Sequence, residues 1–370
     1  MRFELSDTQQ LLKSSARKFL QKECPMAEVR RIMETPAPYD ANLWRQMAEQ
    51  GWTGILFAED YGGMGLGMVE TAAMMEEMGR ALLPGPFLAT VPMAGVLLDT
   101  AGNEELKKIY LSRIGSGESR AAVAVQEEDA AWGWQQVQLS ASGGGDALRL
   151  HGSKRFVQDA GVADFLLVVA RGGRGLTLAL VERAAEGLSV QPMAGIDLTR
   201  RLYSVQCNAT PAVLVATGEA AERALERMSL LANAALVAEM LGGMQRVLEI
   251  SVEYAKTRKQ FGKPIGQFQA IQHKCADMVL MVEALRSAAY YAAYAIDHGL
   301  EEAQAAVSTA KSYASEAYRE VGNHGIQIHG GMGFTWESDL HLYYRRAKAS
   351  EILLGDAAWH REQIARLVLD

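Results

Sequence analysis

The chain is short of three things: apolar residues at its start, cysteine, and positive charge. Each shortage excludes something. Met1-Arg2-Phe3-Glu4-Leu5-Ser6-Asp7 contains no continuous apolar run, so neither a signal peptide nor a membrane span is expected. Cysteine occurs only as Cys24, Cys207 and Cys275. Three thiols far apart argue against a disulfide framework and for a reducing compartment, and no metal-ligand spacing appears among them. A cytoplasmic protein is expected. The formal net charge of -7 gives no general basic field for nucleic acid, so any anion site has to be local. What remains is ordinary for soluble domains: 370 residues, 49% hydrophobic and 22% charged, enough for two or three domains with a large core.

Ser6 and Asp7 precede an apolar stripe of Leu11, Leu12, Ala16, Phe19 and Leu20, the pattern of a capped amphipathic helix. Further helical windows cover 41–50, 68–81 and 104–114. The glycine-rich stretch Gly62-Gly63-Met64-Gly65-Leu66-Gly67 lacks the Lys-Ser/Thr ending of a phosphate loop and no strand-to-helix unit frames it, so it reads as an Ω-like loop. Met64, Met68, Met74, Met75 and Met78 read as adaptable core.

From about residue 121 the period changes to that of short strands, over 121–126, 137–139, 148–151, 154–157, 165–169, 176–181 and 205–207, with glycine turns at 143–145 and 172–173. After Pro211 the helical period returns. A helix capped by Thr217 and continuous to Arg258 would be about 60 Å long, and three more follow over 268–298, 301–324 and 340–369. The expected fold is α+β and multidomain. It has an N-terminal all-α domain (1–120), a middle β-barrel-like domain (121–215) and a C-terminal antiparallel four-helix bundle (216–370). Dense alanine and glycine in the last part suit close helix contacts within a subunit and across an oligomer interface.

Between the long helical patterns the chain turns at Gly262, Pro264 and Gly266, and Lys256, Arg258, Lys259 and Lys263 cluster at that bend. Two readings fit the spacing: a site for a diphosphate-bearing ligand, or cations set against a helix C-terminus.

The string Arg258-Lys259-Gln260-Phe261-Gly262-Lys263-Pro264-Ile265, followed by Phe268-Gln269-Ala270-Ile271-Gln272-His273, resembles a signature of the acyl-CoA dehydrogenases. Gly325-Ile326-Gln327-Ile328-His329-Gly330-Gly331-Met332-Gly333-Phe334 resembles that family's other C-terminal motif. The resemblance implies FAD as cofactor and a role in fatty acid or lipid catabolism. Arg258 and Phe261, with Gln269 nearby, would hold its diphosphate and adenosine half, and Gln327, Gly330 and Gly331 would come from a neighbouring subunit. A guanidinium binds phosphate oxygens in a fork, and a glycine pair lets backbone N–H groups approach closely. The plain alternative for the glycine pair is a helix stop after His324. Phe156 and Gln158 stand where the family has tryptophan and threonine against the flavin ring, and for Phe156 the alternative is an inward-facing strand residue. Val125-Gln126-Glu127-Glu128-Asp129 departs from the family's usual loop. His273 and His329 read as structural.

The implied reaction is α,β-dehydrogenation of an acyl-CoA thioester, in which a carboxylate takes the α-proton. Leu354 occupies the family's usual base position near the C-terminus, and Ala232 occupies the second one. In the family a backbone N–H at the first position helps hold the thioester oxygen, and Leu354 keeps its N–H as a substrate contact. Glu239 is a lone carboxylate in an apolar helical run beside Ala232, Ala235, Gly242 and Gly243. It is the candidate base, the alternatives being a buried ion pair with Arg345 or Arg346, Asp356, or no base. The small residues hint at room for a bulky, branched or cyclic acyl group. Two other readings stay open: a non-catalytic subunit of a heterotetramer with a related chain, and a flavin monooxygenase on the same scaffold. The resemblance implies electron-transferring flavoprotein as acceptor and a homotetramer or heterotetramer as assembly.

Overall fold

A computed structural model describes residues 5–36, 39–128, 132–144 and 147–369. Asp129 of the divergent loop and Gly145 of the glycine turn lie outside them. The chain divides into two compact units built from interleaved segments: Met1–Val29, Met68–Leu83 and Asn233–Asp370 in one, Arg30–Gly67 and Pro84–Ala232 in the other.

The first unit is helical. Its opening helix, Asp7–Glu23, begins in a reciprocal cap, with Gln9 N donating to Ser6 Oγ and Ser6 N donating to Gln9 Oε1. The helix Met68–Arg80 carries Met68, Met74, Met75 and Met78 buried among its neighbours, as expected of adaptable core, while Met64 in the preceding loop is half-exposed. The long helix Glu219–Thr257 contributes its later turns to this unit. Gln269–Asp297, Ala303–His329, Leu340–Ile352 and Ala357–Leu369 complete it. One long helix was expected over 340–369; there are two, interrupted by a turn over 353–356.

Glycine sets how closely these helices approach. A Cβ on Gly79 would lie 1.9 Å from the Glu239 carbonyl oxygen, one on Gly242 1.8 Å from that of Glu76, and one on Gly243 2.1 Å from the Tyr318 hydroxyl. The helix Met68–Arg80 therefore packs backbone to backbone on the long helix. The room that the small residues suggested for a ligand is filled by these contacts, and Ala235 is fully buried.

The second unit holds an eight-stranded sheet. Its strands are β1 (Ala121–Ala124), β2 (Ser140–Ser142), β3 (Arg149–Gln158), β4 (Phe165–Gly172), β5 (Gly175–Glu182), β6 (Leu188–Met193), β7 (Leu202–Pro211) and β8 (Val213–Thr217). The order is β6-β7-β3-β2-β4-β5-β8, with β1 paired in parallel to β4. The inward residues Leu150, Val157, Leu166, Val168, Val181 and Val205 form its core. Strand β6 has only exposed or partly buried positions and contains Pro192, so it carries no apolar run to announce it.

The loop over 62–67 also belongs to this unit. Met64, Gly65 and Leu66 donate their N–H groups to the carbonyls of Gly54, Phe57 and Ile55. With those donors engaged it is no phosphate cradle, in agreement with the Ω-like reading.

The helix approach predicts that Gly242→Val lowers the melting temperature by roughly 5 °C or more, because a backbone carbonyl cannot yield to a side chain. Gly331→Ala meets no atom within 4 Å and should shift it by less than about 2 °C. Thermal melts of the two variants check this.

Candidate functional site

In the helical unit the two C-terminal motifs are neighbours within one chain. Tyr254, one turn before Arg258, stacks on His329, which immediately precedes the glycine pair; the ring centroids are 4.0 Å apart and the planes 22° from parallel. His329 Nδ1 lies 2.9 Å from Gly325 O, and burial holds its pKa below the ordinary value, so the ring is neutral and Nδ1–H donates to that carbonyl. The chain then leaves the helix at Gly330, whose φ of 59° and ψ of -134° suit glycine alone. His273, by contrast, is exposed on its helix and packs in no core.

Arg258, Phe261, Gln269, Gln327, Gly330 and Gly331 are all exposed, Phe261 at 92%. Phe261 stands at the tip of a two-strand hairpin, Lys259–Gln260 against Lys263–Pro264, with a positive φ of 52°. A Cβ on Gly330 or Gly331 would meet nothing within 4 Å. The surface thus offers a guanidinium, an aromatic ring, two amides and open backbone together, a donor set that fits the diphosphate and adenosine end of FAD.

In the sheet unit, β3 and β7 fall out of register between Lys154 and Val157, a bulge that gives one residue more on β3. Phe156 sits in that bulge at φ 57° and 37% exposed, so it is not an inward-facing core residue. Gln158 is buried, and its Oε1 has no hydrogen-bond partner among the described residues. A buried amide oxygen without a partner is costly, and the flavin edge that the resemblance places here would relieve it. On both units the residues fit FAD.

The segment before Asp129 is bolted to β3. Lys154, fully buried, donates to Val125 O at 2.9 Å and to Glu127 Oε1 at 2.7 Å, while Arg155 N donates to Gln126 O at 2.8 Å. The Glu127 carboxylate also accepts the N–H groups of Gln138 and Leu139.

Neither family base position holds a carboxylate, and Glu239, the candidate base, stands in a buried ion pair. The sequence shows Glu239 alone in an apolar run; the fold brings Arg346 to it. The Arg346 guanidinium donates to Glu239 Oε1 and, at 3.3 Å, to Leu83 O, and both side chains are buried. The buried ion pair with Arg346, one of the alternatives for Glu239, is therefore formed, and it engages the carboxylate at Oε1.

Leu354 lies in the turn between the last two helices, in the left-handed region at φ 58°. Beneath that turn are two buried groups the sequence reading did not single out, Lys311 and His360. Lys311 donates to Gly355 O, and His360 Nε2 is 3.1 Å from Leu354 O. A lysine on a helix ordinarily reads as solvent-exposed; the hint at Lys311 was its place on the same face as Val307, Ala310 and Ala314.

Residues 6–118 match the model of the acyl-CoA dehydrogenase N-terminal domain and residues 221–369 that of the C-terminal domain. The acyl-CoA dehydrogenase IpdE2 of Mycolicibacterium smegmatis is 31% identical, the match covering 98% of each chain. Among solved structures, the ChsE4–ChsE5 complex from Mycobacterium tuberculosis superposes with a TM-score of 0.90 at 28% identity, covering 100% of this chain and 99% of the other. A variant of the Tcur3481–Tcur3483 steroid ACAD does so with a TM-score of 0.89 at 30% identity, covering 98% of each.

Two outcomes follow. Arg346→Leu should destabilise the protein by roughly 3–5 kcal/mol in denaturant unfolding, and the double change with Glu239→Leu should recover most of that, because a lone buried charge costs more than none. Burial holds Lys154 at about 8 rather than its ordinary 10.5, although Glu127 pulls it back up. Between those values the unfolded chain binds the extra proton, so the contribution of this residue to stability rises with pH from about 8 to 10.5. Melting curves of Lys154→Met across that range should lack the rise.

Proposed function

Because the chain belongs to the acyl-CoA dehydrogenase family, oxidoreductases acting on CH–CH groups with FAD as cofactor, we propose that it serves as one of two related chains in a mixed tetramer that dehydrogenates a bulky acyl-CoA thioester. The other chain carries the carboxylate that takes the α-proton. The observation that carries this reading is the Glu239–Arg346 pair: with leucine at 354 and alanine at 232, positions 354, 232 and 239 offer no free acid, and Asp356, the remaining alternative, accepts from Trp359 N at its helix start. The pairing of two names in the ChsE4–ChsE5 complex supports the mixed assembly, and the word steroid in the name of another relative supports a polycyclic acyl group.

FAD, when bound, accepts the β-hydrogen as hydride. This chain's residues hold and orient. Arg258 grips diphosphate oxygens, Phe261 covers the dinucleotide, Gln269 and Gln327 offer amides, and Gly330 and Gly331 offer backbone N–H. Because the Tyr254–His329 stack joins the two motifs within one chain, one chain supplies both to a copy of the cofactor, where the resemblance draws Gln327, Gly330 and Gly331 from a neighbouring subunit. On the sheet unit Phe156 presents a ring and Gln158 an amide to the flavin. The N–H of Leu354 donates to the thioester oxygen, which withdraws electron density from the carbonyl and makes the α-proton more acidic. The electron acceptor is electron-transferring flavoprotein.

Anaerobic titration of the purified, FAD-loaded chain with straight-chain and polycyclic CoA thioesters tests the reading. The chain alone should leave the flavin yellow; with a related, base-bearing chain the flavin should bleach with the polycyclic thioester. Glu239→Gln, compared at equal folded fraction and FAD content, should leave that bleaching intact. Bleaching by the chain alone that vanishes in Glu239→Gln would instead make Glu239 the base.

A further inference from the structure

The turn that carries Leu354 is held from inside the protein by a charge that the reaction does not use. Lys311 is fully buried, and its ammonium makes three hydrogen bonds: to Gly355 O at 2.8 Å, Ser315 Oγ at 3.0 Å and Glu351 O at 3.2 Å. None is to a carboxylate. The two nearest acids are engaged elsewhere, Asp356 Oδ1 by Trp359 N at 2.8 Å and Glu351 by Arg319 and by Lys348. Burial holds Lys311 at about 7 while Asp356 and Glu351 pull it upward.

The bond to Glu351 O caps the helix Leu340–Ile352, as any cation near a helix C-terminus would. The bond to Gly355 O is of another kind, because that carbonyl lies beyond the helix. The preceding carbonyl, Leu354 O, is met by His360. Burial and the nearby Lys311 charge hold His360 at about 3, so the ring is neutral and Nε2–H is the donor. Two successive carbonyls of the turn are thus fixed, with Leu354 at φ 58° and Gly355 at φ 108° between them. Among the described residues the Leu354 N–H makes no hydrogen bond. Left-handed backbone at a leucine persists only where surrounding contacts over-determine it.

We propose that Lys311 is a positioning residue: by holding the carbonyls of Gly355 and Glu351 it keeps the Leu354 N–H free and fixed for the thioester oxygen. The thioester half of this statement rests on the function proposed above; the pinning of the turn does not.

Two measurements on Lys311→Met separate them. Hydrogen exchange of the protein, without substrate, should quicken at least about tenfold over residues 353–359 while the helix Ala303–His329 stays protected. Unchanged exchange there would overturn the pinning. An aryl-acryloyl-CoA, whose absorbance shifts to the red when its carbonyl is polarised, should show that shift on the FAD-loaded mixed assembly and lose more than half of it in Lys311→Met at equal FAD content. A full shift in the variant would overturn the positioning role. No shift in the wild-type assembly would overturn the function reading and with it the thioester half, and the exchange result would still decide the pinning. Lys311→Gln, which keeps N–H donors in the same place, should restore part of the shift and serves if the methionine variant does not fold.

Discussion

A carboxylate taken out of water has to be met by positive charge, and the helical unit is arranged around three such meetings. Glu76 is buried between Lys13 and Arg286, with Tyr290 donating as well. Burial alone would raise its pKa, yet those two cations hold it below the ordinary carboxylate value. Glu77 takes a forked pair of bonds from Arg17. Glu239 takes Arg346. In each case the cation comes from a remote part of the chain, so the pairing fixes which helix faces which. The glycine contacts then fix how close they stand. Pairs of this kind add little net stability compared with well-packed apolar residues, but breaking one leaves an uncompensated charge, which disfavours other helix arrangements.

That constraint bears directly on function. The acid in the apolar run of the long helix is one of these paired carboxylates, and the function proposed above rests on that pairing. The candidate cofactor surface, by contrast, is exposed. Arg258, Gln327 and the glycine pair have no interior duty, and the Tyr254–His329 stack behind them joins two motifs some seventy residues apart in sequence.

The fold was largely legible because its main signals are local: apolar spacing for the long helices and short continuous apolar runs for β4 and β5. Strand β6 escaped because Pro192 and half-exposed positions give it no apolar run. The break over 353–356 escaped because its causes, Lys311 and His360, lie on other parts of the chain. The candidate cofactor residues could be named from the sequence because their motifs are contiguous strings. The environment of Glu239 was legible only as a choice between a base and a partner of Arg345 or Arg346. Helical spacing brings residues three or four apart together on one helix, whereas the partner, Arg346, stands on another.

The turn at Leu354 separates two tasks that enzymes often combine in one residue. Its backbone path is dictated by Lys311 and His360 and owes little to the side chain at 354 itself. A single codon change at that position could therefore add or remove an acid without disturbing the scaffold. After a gene duplication one copy could lose its proton acceptor, keep its folded core and remain useful to its sibling, a low-cost route from a self-sufficient ancestor to an obligate pair.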